Sequence, residues 1–220
     1  MNKNYLVLIF WLSFNLVQTT QAAAFFIDPT VDATIFDGPA SPKDGSADFI
    51  NNDDFVQALN NVIFESRGVI EYDISGIGVP VTDAHLSLTV NEDLGPFPFT
   101  LQFYSFAADG AVTVTDYDTG SLFHSISYNS SPTLTVDVTG VLQDLIAANE
   151  SFAGFNLRKL EEDQGTEGEA FVAFKSLEFP TAARLHINEA NNSTVPEPAS
   201  LFLLGSGLLG SLSFRKKRKV

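Results

Sequence analysis

Glu71 and Asp73 lie two residues apart in the phrase Arg67-Gly-Val-Ile-Glu-Tyr-Asp-Ile74. Successive side chains of a β-strand point to opposite faces, so both carboxylates would project from one side, the arrangement a retaining glycosidase uses for its acid and nucleophile. The positions that follow, Ser75 and Gly76, add no third acid, and a solvated acidic face at a strand end is the plainer reading. A second set of carboxylates is denser. Asp28, Asp32, Asp37, Asp44, Asp48, Asp53 and Asp54 fall close together, with Lys43 the only base among them. Hard oxygen ligands of this kind suit Ca²⁺ at about 2.3–2.6 Å, although no EF-hand spacing is present; solubilising charge accounts for the same residues. His85, His124 and His186 are far apart and lack ligating neighbours at i+2 or i+4, so each reads as a polar residue on the outer face of a strand. Nucleophile elbows, zinc-protease motifs and phosphate-cradling loops are missing, which leaves cofactor chemistry no foothold. Tyr104, Tyr117 and Tyr128 are the aromatics best suited to an exposed sugar platform, with interior packing as their alternative, since the 20 Phe mostly stand at alternating, core-facing positions.

Composition bounds what these residues can serve. The chain has 220 residues, 27 acidic and 12 basic side chains, a formal net charge of −15 and no cysteine. Phosphates would be repelled, which excludes nucleic acid as a partner. Disulfides, thiolate nucleophiles and Cys-ligated metals are excluded outright. The charge is also partitioned. Residues 25–194 carry 26 acidic and six basic side chains, the first 24 residues only Lys3, and the last stretch five basic residues against Glu197. An acidic body stands between two weakly basic ends.

The N-terminal end has Lys3, an apolar run over residues 6–17, then Ala22-Ala23-Ala24. These parts are the layout of a secretory signal peptide. A helical run of that length spans about 18 Å, short of the ~30 Å hydrocarbon core. Signal peptidase is expected to cut after Ala24, with Ala22 and Ala24 as the two small residues it reads. Near the other end, Val195-Pro-Glu-Pro198 precedes the apolar run Leu201–Phe214, and Arg215-Lys-Lys-Arg-Lys219 follows. The prolines forbid helix before Ala199; an apolar helix can begin there, with the basic cluster held by anionic headgroups on the cytoplasmic side. The run is marginal for a permanent span.

In this order of parts the tail resembles the PEP-CTERM sorting signal of Gram-negative bacteria that make exopolysaccharide. Val195, Pro196, Glu197 and Pro198 match the motif, and Arg215, Lys216, Lys217, Arg218 and Lys219 match its basic stop cluster. The resemblance implies processing by an exosortase, a precursor held transiently in the inner membrane, and a mature form at the cell surface or in the extracellular matrix. An ordinary tail anchor is the alternative; a GPI signal would end in apolar residues.

The elements that must position the central residues show period-two alternation. Ala84, Leu86, Leu88 and Val90 share one face, and His85, Ser87 and Thr89 the other, as in a half-buried strand. Similar segments occur at 33–36, 68–74, 99–106, 111–115, 122–126, 133–138, 152–157, 171–174 and 184–187, with turn formers between them. One segment is helical in period: after Thr139 as N-cap, Val141, Leu142, Leu145 and Ile146 recur on one side until Asn149. The expected fold class is all-β, a jelly-roll-like β-sandwich with one short helix, flanked by a signal-peptide helix and a C-terminal hydrophobic sorting helix. The expected boundaries are 1–24 for the signal peptide, 25–187 for the sandwich, 188–194 for a linker and 195–220 for the sorting tail.

Several phrases of the body, among them Asp32-Ala-Thr-Ile35, Arg67 to Ile74, Val136-Asp-Val-Thr139 and Ala183-Arg-Leu-His-Ile187, resemble the DNRLRE or disaggregatase-related modules. Those are jelly-roll sandwiches of cell-surface and extracellular proteins, some associated with polysaccharide. The resemblances imply a secreted, non-enzymatic surface or matrix protein associated with exopolysaccharide. The alternative is a glycan hydrolase on the same sandwich, with Glu71 and Asp73 as its acids.

Overall fold

The computed structural model describes residues 23–38, 43–52, 55–61, 63–77, 80–160, 170–180 and 183–189. The expected signal-peptide run, the sorting tail and Asp53 and Asp54 lie outside the described residues. Within them the chain forms β1 (Ala23–Ile27), β2 (Val31–Asp37), β3 (Phe49–Asn51), β4 (Phe55–Asn60), β5 (Glu65–Asp73), β6 (Val81–Leu94) and β7 (Phe99–Ala108). A 3₁₀ turn (Val114–Tyr117), β8 (Ser121–Tyr128), β9 (Thr133–Asp137), α1 (Thr139–Ala147), β10 (Phe152–Lys159), β11 (Phe171–Lys175) and β12 (Arg184–Glu189) follow.

The fold is mostly β: one curled antiparallel sheet in the order β1-β12-β6-β11-β4-β5-β10-β7-β8, with β2 on β5, β3 on β2 and β9 on β6. The curl is made by β6. Residues 81–87 pair with β12 on one side and residues 85–89 with β9 on the other, and residues 90–94 pair with β11. The register with β11 shifts between Ala173 and Phe174, so Asn91 is left without an opposite partner, the irregularity that bends a strand. Ala84, Leu86 and Leu88 are fully buried while His85, Ser87 and Thr89 are partly exposed, as the alternation predicts. Their face joins Val56, Ile70, Tyr72, Phe103, Phe155, Leu157, Phe174 and Leu185 in one core enclosed by the curl.

Two local expectations give way to hydrogen bonding. Residues 111–115 alternate like a strand but form a loop and the 3₁₀ turn, because the Asp116 carboxylate captures both the N–H and the hydroxyl of Thr113. Short polar side chains that bond their own backbone compete in this way with sheet pairing. Thr139 is the first residue of α1 rather than its N-cap. Its Oγ1 accepts the Ala84 N–H at 2.9 Å and donates to Asp137 Oδ1 at 2.6 Å, so the side chain fastens the helix to β6. Strands β1, β3 and β4 add to those read from alternation, and β12 runs on through Asn188 and Glu189.

β5 sits at the branch of the sheet, paired along one edge with β2 and along the other with β4 and then β10. Such crowding requires a glycine at position 68, where a Cβ would lie 2.3 Å from Val56 Cγ1, itself fully buried. Gly68→Ala should therefore cost about 1–3 kcal/mol of stability by overpacking. A thermal melt would show a midpoint lowered by about 2–4 °C per kcal/mol, and an unchanged midpoint would contradict the close approach.

Candidate functional site

β5 carries the acidic pair. Ile70 and Tyr72 turn into the main core, whereas Glu65, Arg67, Val69 and Glu71 turn to the opposite face. Residues 109–118 roof that face. Asp109 Oδ1 accepts the Ala111 N–H at 3.0 Å, and the buried Tyr117 packs with Ile35, Val69 and Phe106. Gly154 of β10 stands between Glu71 and Phe106 in the ladder, and the space its missing Cβ leaves is filled by the Phe106 ring.

Glu71 is completely buried beneath this roof. Its Oε2 accepts the Gly110 N–H at 2.8 Å, and its Oε1 has no hydrogen-bond partner. Burial pushes its pKa up; the Gly110 N–H opposes the rise, and the charges of Asp116 and Asp109 add to it. Asp73 is exposed at the strand end. Its Oδ1 accepts the Ser75 hydroxyl at 2.6 Å and the Ser75 N–H at 2.9 Å, which hold its pKa below the usual carboxylate value. Opposed shifts suit an acid and a base. Here one carboxyl is roofed over without exposed surface, and the other closes a turn in solvent.

The aspartates of the 28–54 stretch are spread over separate tasks. Asp28 Oδ1 accepts Arg184 Nε at 2.8 Å, and Asp32 Oδ2 accepts the Leu177 N–H at 2.8 Å. Buried Asp37 accepts the Asp44 N–H at 3.1 Å and the Gly45 N–H at 2.7 Å, while Asp44 takes the Ser46 N–H and Asp48 the Gly38 N–H. Among the described residues no three His, Asp or Glu side chains are grouped to hold a metal ion.

The tyrosines are not platforms. Tyr117 and Tyr128 are buried, and burial raises both hydroxyls, Tyr128 to about 12 with its O–H donated to Asp93. Tyr104 is half-buried under the Arg158 guanidinium, 3.9 Å from its ring centre. Among the described residues the exposed aromatics are instead Phe26, Phe49 and Phe55. Two of the three histidines, distant in sequence, meet in the fold: His186 stands directly opposite His85, whose Nε2 lies 2.8 Å from Asp83.

A charged lattice that the sequence reading missed holds the roof down. Arg67 donates to Glu65, to the Tyr117 carbonyl at 2.6 Å and to Asp118 at 2.6 Å, with its guanidinium 3.7 Å from the Tyr117 ring centre. Lys43 reaches the same Glu65 at 3.7 Å. Glu65 and Arg67 show the two-residue spacing of Glu71 and Asp73, but their partner Asp118 is 51 positions away from Arg67.

β12 ends at Glu189, which pairs with Ala23 of β1, so the chain enters and leaves the sheet at one point. Just beyond it, residues 194–219 match the family model of the PEP-CTERM protein-sorting motif. The chain carries a PEP-CTERM signal. That signal implies export in a Gram-negative bacterium, a membrane-anchored precursor and sorting by an exosortase. No curated protein matches the chain. Among the described residues no helix is long and apolar enough to cross a membrane, and the apolar runs beside the PEP-CTERM motif and after Lys3 lie outside them.

Asp32 gives the body that precedes the PEP-CTERM motif a measurable pH response. Burial, opposed by the Leu177 N–H and assisted by the charge of Glu178, raises its pKa from 3.8 to about 6. The folded state thus holds the proton more tightly than the unfolded chain. The stabilisation is complete below about pH 4 and is lost as the pH rises through about 6, on the order of 2–3 kcal/mol. Asp32→Asn keeps an oxygen for Leu177 and should melt several degrees above the parent at pH 8, with the gap closing at pH 4. A variant that melts no higher at pH 8 contradicts the assignment.

Proposed function

We propose that this protein is a non-enzymatic, secreted surface or extracellular-matrix protein. Signal peptidase removes its leader after Ala24, an exosortase acts at the Val195–Pro198 motif, and the mature domain associates with exopolysaccharide. The match at 194–219 carries this reading, because it dedicates the tail to sorting and so dedicates the body to work outside the inner membrane. A jelly-roll-like module of the DNRLRE or disaggregatase-related kind is the domain proposed, and the curl of the antiparallel sheet around one core supports it. The completely buried Glu71 supports a binding role over a hydrolytic one, since a glycosidic oxygen must reach its acid.

The Pro196→Ala, Glu197→Ala double variant should accumulate as full-length precursor in the inner-membrane fraction. Processing at the parent rate would count against the sorting role. The parent should also be retained by exopolysaccharide from its own host without releasing reducing sugar, and Glu71→Gln should behave identically. Sugar release by the parent that disappears in Glu71→Gln would restore the hydrolase with Glu71 and Asp73 as acids. Calcium belongs to the proposal as a brace for the 28–54 loops. A melting midpoint that moves by less than about a degree between calcium and EDTA removes it.

A further inference from the structure

Between the β1–β2 link and the β11–β12 link lies a pocket of about 310 Å³ lined by Asp28, Leu177, Glu178, Phe179, Pro180 and Arg184. That is the lower end of the range for small-ligand sites, about 300–1,000 Å³, with room for a monosaccharide unit. None of the lining residues belongs to the enclosed core, so the pocket is not a packing defect of it.

One wall is apolar. The Phe179 ring stacks on Phe55, with centroids 6.2 Å apart and planes 23° from parallel. Phe55 and Leu177 are each 39% exposed, beside the ring and on the rim of the pocket. Three large apolar side chains gathered at the surface cost solvation unless something covers them. The other wall is polar. Arg184 Nε donates to Asp28 Oδ1 at 2.8 Å and its Nη2 reaches the Pro180 carbonyl at 3.5 Å, which leaves further N–H groups of the guanidinium fork, and Asp28 Oδ2, for a ligand. Glu178 adds a second carboxylate.

The turn that presents Phe179 is already built. The Phe179 N–H bonds the Ser176 carbonyl at 3.1 Å, the Leu177 N–H is held by buried Asp32 at 2.8 Å, and the Ser176 hydroxyl donates to Glu178. A ligand would therefore find the ring in place rather than bear the cost of ordering it.

We propose that this pocket binds a neutral pyranose unit of a glycan. A pyranose offers an apolar C–H face, which fits Phe179, and an edge of adjacent hydroxyls, which donate to the Asp28 and Glu178 carboxylates and accept from Arg184. The lining sets two carboxylates against Arg184, with Lys175 Nζ 5.9 Å from the Phe179 ring centre, and the field of a body with 26 acidic and six basic residues repels uronates and phosphates and so selects an uncharged sugar. The inference rests on the reading of an exopolysaccharide-associated protein and names the place and the sugar class.

Affinity electrophoresis tests it, with the full-length chain in a zwitterionic, sugar-free detergent run through native gels containing a neutral glucan, mannan or galactan, and polygalacturonate as the charged control. At least one neutral polymer should retard the parent and polygalacturonate should not. Phe179→Ala, Asp28→Asn and Glu178→Gln should each weaken retardation about tenfold, with the melting midpoints of Asp28→Asn and Glu178→Gln close to the parent's because both side chains are exposed. Retardation by polygalacturonate alone overturns the sugar class. Retardation of the variants equal to that of the parent overturns the pocket and leaves the association with exopolysaccharide standing. A parent that no neutral polymer retards overturns the inference, and retention on the host's own exopolysaccharide then decides separately whether the broader reading survives.

Discussion

Everything in this domain depends on one strand belonging to two parts of the sheet. β6 pairs with β12 and β9 over residues 81–89 and with β11 over residues 90–94, and the register shift opposite Ala173 and Phe174 allows the turn between them. Because the sheet curls there, the alternating residues Ala84, Leu86 and Leu88 face Ile70, Tyr72 and Phe155 across a common interior instead of facing water. A chain without cysteine has no covalent clamp to hold such a curl. Packing and pairing must do it, and α1 contributes by anchoring Thr139 and Gln143 to β6 at Ala84 and Val81.

The curl leaves an outer face on β5 and β10, and that face is where the polar side chains concentrate. β5 and β10 are buried on both sides because residues 109–118 close over them. Closing a loop over a sheet strands polar groups, and several are answered nearby: Asn156 Nδ2 donates to the carbonyls of Asp116 and Tyr117, and Arg158 donates to Thr119. Truncating Arg67 would take the closest cation from the Glu65 carboxylate, only 9% exposed, which costs more than the contact itself contributes. Glu71 Oε1 is the group this arrangement leaves unanswered, and its carboxyl responds by holding its proton more tightly.

What the sequence made legible was whatever a short window decides. The half-buried face of β6, the apolar side of α1 and the order of parts in the tail are local patterns, and each was readable residue by residue. Contacts between distant residues were not. Glu71 and Asp73 share a face as the period requires, but nothing near them announces that residues 109–118 will cover one and leave the other in water. Tyr117 and Tyr128 have the composition of surface aromatics, yet they lie inside, where the Tyr117 hydroxyl donates to Asp37 beneath the Arg67 guanidinium and the Tyr128 hydroxyl donates to Asp93. β4 escaped detection because Phe55 points outward while Leu59 and Asn60 are buried together, which spoils the alternation. The spacing of Asp32, Asp37, Asp44 and Asp48 likewise says nothing of the backbone N–H groups that each of them accepts.

Cleavage after Ala24 would leave Phe25, opposite Ile187, as the first residue of the body, and that placing has a mechanical meaning. A load applied between the two ends of the body enters at one end of the β1–β12 ladder, with both strands pulled from the same side. Antiparallel strands loaded in that way part like a zipper, one pair of bonds after another, whereas strands drawn from opposite ends must shear all their bonds together. β1, from Phe25 to Ile27 after that cleavage, is an edge strand, so it would peel first and could do so while β12 stayed seated against β6. The body could then yield at its neck under tension from a tethered end without opening its core.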